Sequence, residues 1–331
     1  MKQTMQAETV ARYENVDFAK GILIYLMVIF HIHYVGNLTT AMQSITAAVY
    51  AFHMPVFLIF SGAFAGFGKN WKIQIANVAR RVFIPYAIFE TIYLLSLFIC
   101  SKLGLQFANS FNDLSVTGLL YKITFDPSGA YWYLHTITIG LIIALAVNHF
   151  LGSNKVNVLA VTGLCYWLVS LVIPRVRFAD SMFLLIGMSF QFYKIEIKSS
   201  WFAIVPMVIV IYIGLPQLVI NSLEGVTITL LAISVLYALF DLTKNTLFKR
   251  YMCFVGKNTL MVMLVHPIFL NICRLFYPAV LKIDPTGISY LVVAGVITVG
   301  VSVFIARISD QFKISTLLFG RPVYVSMSEN Q

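Results

Sequence analysis

Two histidines stand inside hydrocarbon-like segments. His31 comes eleven residues after Lys20 in the stretch Phe18 to Val35, and His53 lies in Ala51-Phe52-His53-Met54-Pro55-Val56-Phe57. An ionisable group surrounded by apolar side chains is costly, so it faces a protein interior or a watery cavity and marks a candidate functional site. Glu90 lies deep in a third apolar stretch, His135 near the start of a fourth and His266 midway along a late one. Imidazoles beside a carboxylate suit proton transfer: the carboxylate orients the ring and raises its basicity, as a general base acting on a hydroxyl requires. A carboxylate at such depth needs a partner, and histidine or arginine is the expected one. Each group taken singly has the ordinary alternative of a satisfied structural hydrogen bond, whereas the convergence of several points to a site.

The elements that position them follow from composition. The chain of 331 residues is 60% hydrophobic and 11% charged, with a mean hydropathy of +0.86, too little polar surface for a soluble globule. An all-α, polytopic integral membrane protein is expected. Apolar stretches run from Phe18 to Val35, Ile45 to Phe67, Val82 to Cys100, Tyr131 to Leu151, Val156 to Ile173, Phe178 to Tyr193, Trp201 to Ile220, Val226 to Phe240, Thr259 to Tyr277 and Gly287 to Ile308. They predict about ten transmembrane helices. Placing both termini in the cytoplasm puts seventeen of the 23 Lys and Arg on the inner side, as the positive-inside rule requires. The division expected is a cytoplasmic N-terminal segment (1–17), a membrane domain (18–308) and a cytoplasmic C-terminal tail (309–331).

The net charge of +10 is scattered between apolar segments, so it reads as a topology signal and excludes a nucleic-acid-binding patch. The four cysteines form no CxxC pair, which argues against a zinc site or a disulfide framework, and no metal is expected. The N-terminal residues include Glu8 and Glu14, unlike a basic secretory signal, so the first apolar stretch is expected to stay as a span. No internal repeat is evident, which weakens a transporter built from inverted repeats.

On this topology His31 lies about 16 Å above Lys20, near the bilayer centre, and His53 about 12 Å below the start of the second span. The loop between the second and third spans carries Lys69, Lys72, Arg80 and Arg81 with Trp71. It suits either the phosphates of a nucleotide-like cofactor or anchoring to anionic lipid. Pro55, Pro85 and Pro267 are expected to kink their spans and free carbonyls near the polar groups. The outer connection Ser101 to Ala130 is long enough for an interfacial helix or a lid, or else is an unstructured loop. Phe107, Tyr131, Trp132 and Tyr133 either stack on sugar rings or anchor the interface.

Several motifs then resemble one family in order along most of the chain. Asp17-Phe18-Ala19-Lys20-Gly21 with His31 resembles the Arg/Lys-x10-His signature of integral membrane acyltransferase family 3, near its fucose 4-O-acetylase-like branch. Phe52-His53-Met54-Pro55-Val56-Phe57 with Ser61-Gly62, Arg80-Arg81-Val82-Phe83-Ile84-Pro85-Tyr86, Trp132-Tyr133-Leu134, and Gly256-Lys257-Asn258-Thr259-Leu260 with His266 resemble its later elements. Asn77 stands where the family's Arg-x-x-Arg element has its first arginine.

The resemblance implies a membrane O-acyltransferase, in the main an O-acetyltransferase, that moves acetyl from cytoplasmic acetyl-CoA to a hydroxyl of a cell-surface polysaccharide or its lipid-linked precursor. It implies His31 as the catalytic base, with Glu90 or His53 orienting it. Lys20, Lys72, Arg80 and Arg81 would serve the coenzyme A side, and Trp132, His135, Asn258 and His266 the acceptor side. Expected partners are acetyl-CoA, a glycan or glycolipid acceptor and membrane lipid. The expected location is a bacterial inner or plasma membrane. The rival readings are a proton-coupled transporter or flippase of a glycan precursor, using the same histidines as a relay, and a non-catalytic membrane partner in glycan assembly.

Overall fold

The computed structural model describes residues 2–32, 34, 36–104, 110–152, 154–214 and 222–325, with side chains from Glu14 onward. The described chain is helical, without a strand. In order the helices are α1 (Lys2–His31), α2 (Thr39–Tyr50), α3 (His53–Ala63), α4 (Trp71–Val78), α5 (Ile84–Lys102), α6 (Val116–Thr124), α7 (Trp132–Leu151), α8 (Lys155–Val172), α9 (Phe178–Tyr193), α10 (Ile204–Gly214), α11 (Leu223–Leu242), α12 (Leu247–Lys257), α13 (Thr259–Cys273), α14 (Tyr277–Ile283), α15 (Ile288–Gln311) and α16 (Ile314–Phe319).

Among the described residues, seven helical runs are long and apolar enough to cross a membrane: Thr39–Ala63, Trp71–Lys102, Gly129–Leu151, Lys155–Val172, Leu223–Leu242, Thr259–Ile283 and Ile288–Gln311. All ten apolar stretches fall on helices, but three do not reach that length: the apolar end of α1, the 16-residue α9 and the short Trp201–Gly214 run. Val35 of the first stretch and residues 215–220 of the seventh lie outside the described residues. Outward faces such as Leu164, Trp167, Leu168 and Leu171 on α8, or Val205, Val208 and Tyr212 on α10, are exposed. Bands of this kind suit a hydrocarbon solvent.

Inside the bundle, glycine decides which helices touch backbone to backbone. A Cβ built on Gly256 of α12 would lie 1.7 Å from the Asp17 carbonyl oxygen of α1, and one on Gly21 would lie 2.1 Å from Met252 O. The same reciprocal arrangement joins α3 to α9, where Gly62 faces Leu184 O and Gly187 faces Ile59 O. Small residues at such crossings replace the hydrophobic drive that lipid removes. Across α1 and α12, Lys249 Nζ bonds Glu14 Oε2 at 2.7 Å, and the Tyr25 and Tyr251 hydroxyls are hydrogen-bonded.

The three prolines act differently. Pro55 has no N–H for the Ala51 carbonyl, so the helix breaks at Ala51 and Phe52, and Thr229 of α11 donates its hydroxyl to Ala51 O at 3.3 Å. Ahead of Pro85 the chain widens into a π-helical turn, Ala79–Phe83, in which Ile84 N–H reaches back to Ala79 O. Pro267 lies inside α13 and leaves the Met263 carbonyl without its helical donor.

The long connection is helical in its second part. α6 starts on Ser115, whose hydroxyl accepts the Gly118 N–H, and exposes Val116, Leu120 and Tyr121 while Leu119 and Ile123 pack on the core. That pattern fits a helix lying in an interface. Phe107 lies outside the described residues.

The segment after residue 308 is no free tail as far as Val325. Asp310 collects the Ser315 hydroxyl at 2.5 Å and the Tyr324 and Val325 N–H groups at 2.6 and 2.9 Å. Leu318, Phe319, Tyr324 and Val325 join the main core. Apolar side chains of this size lose too much by facing water, so the strap folds back. Its Tyr324 hydroxyl accepts the Met261 N–H at 3.1 Å, satisfying one of the unpaired donors at the start of α13.

Candidate active site

Three histidines of three helices meet where α1 ends. The His31 ring lies 6.1 Å from that of His53 on α3 and 5.5 Å from that of His266 on α13, both edge to face. Each points its Nδ1 at the carbonyl four residues earlier: His31 to Met27 O at 2.7 Å, His53 to Val49 O at 2.9 Å and His266 to Val262 O at 3.0 Å. A carbonyl only accepts, so in the neutral ring Nδ1 carries the hydrogen and Nε2 keeps its lone pair. The Nε2 atoms of His53 and His266 are buried without a hydrogen-bond partner among the described residues. The α-helix itself therefore sets all three tautomers, and the carboxylate expected for that task is not needed.

His31 and His266 open onto a cavity of about 400 Å³, within the roughly 300–1,000 Å³ range of small-ligand sites. Its walls come from Tyr93 of α5, Gly129 and Ala130 of the turn before α7 with Trp132, the second half of α13 and the starts of α14 and α15. A second, narrow crevice adjoins His31 between Met27, Met54 and Met263, with space of about 10 Å³, roughly one water. Methionine is flexible and polarisable, so such a constriction yields more easily than one of branched side chains.

Glu90 is fully buried and one layer behind this cavity. Its Oε1 accepts the Ser128 N–H at 2.6 Å, and among the described residues neither histidine nor arginine pairs with it. It thereby fixes the turn that carries Gly129, Ala130 and Trp132, acting as a positioning residue. Tyr131, in the same turn, is buried and donates to Leu264 O of α13 at 2.7 Å, which leaves it no access to a sugar. Trp132 does line the cavity, and the Arg177 guanidinium covers its ring at 5.4 Å. His135 donates through Nε2 to Thr124 O at 2.8 Å and ties α7 to α6, outside the cavity wall. Asn258 is buried at the junction of α12 and α13, with Nδ2 donating to Phe254 O at 2.8 Å. Neither His135 nor Asn258 is brought to the acceptor side.

The basic residues lie at the other end of the helices. Lys20 pairs with Asp17 at 2.6 Å, Lys72 is exposed next to Trp71, and Arg80 and Arg81 are exposed on the π-helical turn. Thirteen residues separate Arg80 from Tyr93, about 20 Å along a helix. No group of three His, Cys, Asp or Glu is arranged to hold a metal among the described residues.

Sequence reasoning missed Tyr50, whose ring lies 5.6 Å from His31 and 5.0 Å from His53 while its hydroxyl donates to Phe30 O at 2.8 Å. It also missed Asn271, Tyr277 and Tyr290 on the cavity wall and read Arg274 only as a topology charge. Their spacing of three residues, one turn beyond His266, was the available signal for Asn271 and Arg274.

The family model of the acyltransferase domain matches residues 13–307. The chain belongs to acyltransferase family 3. It is also similar to the nodulation protein NolL of Mesorhizobium japonicum, 26% identical over 171 residues. That match covers 49% of this chain and 40% of NolL, so this chain spans less than half of that relative's length. No solved structure matches the chain. The family motifs carried by this chain now have physical meaning: Asp17, Gly21 and Gly256 lie at one crossing, and His31, His53 and His266 form one cluster.

Proposed function

We propose that the protein transfers an acyl group, acetyl by preference, from a coenzyme A thioester to a hydroxyl of a glycan or lipid-linked glycan precursor, in a bacterial plasma membrane. Family membership supports the class of reaction. The observation that carries the mechanism is the His31 ring, held by Met27 O through Nδ1 and presenting Nε2 to a ligand-sized cavity.

In this reading the acceptor hydroxyl enters the cavity and gives its proton to His31 Nε2 as its oxygen attacks the thioester carbonyl. The tetrahedral adduct collapses, the C–S bond breaks, and the thiolate takes the proton back from the imidazolium. His53 and His266 offer the neighbouring Nε2 lone pairs, so the proton is received among acceptors rather than against a fixed cation. The donor comes from the opposite face, where Arg80 and Arg81, with Lys72, offer guanidinium and ammonium groups to phosphates. Its flexible arm passes the Met27, Met54 and Met263 constriction to reach His31. Lys20, already paired with Asp17, serves more as part of the α1 base than as a free phosphate ligand.

The test is transfer of labelled acetyl from acetyl-CoA into lipid-linked and polymeric glycan, by membranes with wild type or His31→Ala at matched abundance. Label that disappears with the variant supports the reading. Label that persists removes His31 as the base, and no transfer by wild type on active acceptors favours a transporter.

A further inference from the structure

We propose that the strap after α15 completes the donor site, with its Arg321 joining Arg80 to take the phosphate monoester of a coenzyme A donor. The proposal rests on the acyl-transfer reading for calling the ligand a donor. The phosphate site itself stands on how the strap is built.

The strap lies beyond residues 13–307, the part that the family model matches. α16 ends on Gly320, whose φ of +63° is the left-handed conformation that turns a chain out of a helix. The Phe319 and Tyr324 rings close the turn at a centroid separation of 4.3 Å, and Asp310 holds the Tyr324 and Val325 N–H groups. Arg321 stands in this pinned turn, and Pro322 after it narrows its backbone further. Gly320 packs on the Arg80 side chain: a Cβ built on it would lie 3.5 Å from Arg80 Cδ and 3.8 Å from Arg80 Cβ. Consecutive Cα atoms are about 3.8 Å apart, so Arg321 starts beside the Arg80 stem.

Both guanidiniums are exposed and keep their charge. Arg80 stands on the π-helical turn, and no hydrogen bond or ion pair engages it among the described residues. Arg321 has one contact, its guanidinium carbon lying 4.6 Å from the centre of the Tyr324 ring. A ring face holds a cation in place without neutralising it and supplies no oxygen to its N–H groups. Asp310, the acidic side chain of the strap, is committed to the Ser315 hydroxyl and the two N–H groups. Two cations held so close repel each other, and a dianion removes that cost. A phosphate monoester carries a charge of about −1.5 to −2 at pH 7 and accepts from two guanidiniums at once. Coenzyme A has such a group at the end remote from its thioester. Arg80 in turn lies about 20 Å along the helix from Tyr93 on the cavity wall, a span that suits a long donor.

The test uses purified protein in phosphatidylcholine nanodiscs, with calorimetric binding of coenzyme A and dephospho-coenzyme A to wild type, Arg80→Gln, Arg321→Gln and Arg321→Lys. Charge-assisted contacts give wild type an about tenfold preference for coenzyme A. Arg321→Gln abolishes that preference and leaves the affinity for dephospho-coenzyme A unchanged, which loss of a merely structural contact would not do. Arg321→Lys keeps part of the preference, and Arg80→Gln removes it. Equal binding of the two compounds by wild type, binding of neither, a preference that survives Arg321→Gln, or an equal fall for both compounds overturns the proposal. Phosphatidic acid, a lipid phosphate monoester, added to the discs lowers coenzyme A affinity no more than phosphatidylglycerol does. A larger fall assigns the pair to a lipid headgroup and overturns the proposal. His31→Ala retains the preference, so absent acyl transfer with the preference intact refutes the catalytic reading alone.

Discussion

The two ends of α1 are built on opposite principles. At Asp17 to Gly21 the helix lies close against α12, where glycine on each side lets the two backbones approach. At His31 the same helix ends beside a cavity whose wall includes two imidazoles, aromatic rings, an asparagine and an arginine. The close-packed end has no freedom to rearrange, and the open end keeps unpaired Nε2 atoms that a well-packed core does not tolerate. A site can hold unsatisfied groups in place only if the helices that carry them are fixed elsewhere.

Breaking the open end gives the largest effect. His31→Ala is expected to lower acyl transfer by on the order of 10²- to 10⁴-fold with unchanged folding, measured as labelled product per amount of monodisperse protein. His53→Ala and His266→Ala fall short of that loss, and equal loss in all three would make the cluster, rather than His31, the unit of catalysis. Breaking the closed end acts on folding instead. Gly256→Ala puts a carbon into the Asp17 carbonyl and costs about 1–3 kcal/mol or more, read as loss of folded protein on detergent extraction. A variant that extracts normally would show that α1 and α12 have room to part.

The constriction between the two ends sharpens the comparison. Met54→Phe fills the crevice with a stiffer ring and is expected to raise the KM for the acyl donor several-fold while acceptor binding stays unchanged. An unchanged donor KM would send the donor by another path. The smallest effect belongs to the strap: Tyr324→Phe removes the acceptor of the Met261 N–H, a net loss of about 0.5–1.5 kcal/mol. It is measured as a lower Tm with wild-type KM values, since the ring under Arg321 remains, and a shift in donor KM would show that the hydroxyl also positions that arginine.

Much of the layout was legible because apolar stretches and the buried histidines obey local rules. Each apolar stretch became helix, since in lipid the backbone must bond within its own segment. Pro55 and Pro267 announced broken helical bonds, whereas the contact role of Gly62 and Gly256, read from sequence only as motif residues, appeared with the structure. Glu90 was legible as unusual but not in its role: its partner is the Ser128 N–H, 38 residues away in sequence, and a backbone donor leaves no mark in residue types. His135 and Asn258 illustrate the same gap, since their bonds to Thr124 O and Phe254 O resemble any other polar requirement when read from sequence.

By itself the sequence determined that this is a helical membrane protein of acyltransferase family 3, that His31, His53, His135 and His266 lie within apolar stretches, and that Lys20 and His31 stand eleven residues apart on one helix. These are matters of composition and of spacing along one chain. Only the tertiary structure decided that His31, His53 and His266 share one space, that Glu90 stands behind the wall, that Leu318, Phe319, Tyr324 and Val325 join the core, and that Arg274 shares a cavity with His31 and His266. Those outcomes depend on which helices pack together, and packing between segments far apart in sequence is set by the fit of whole surfaces rather than by any local pattern.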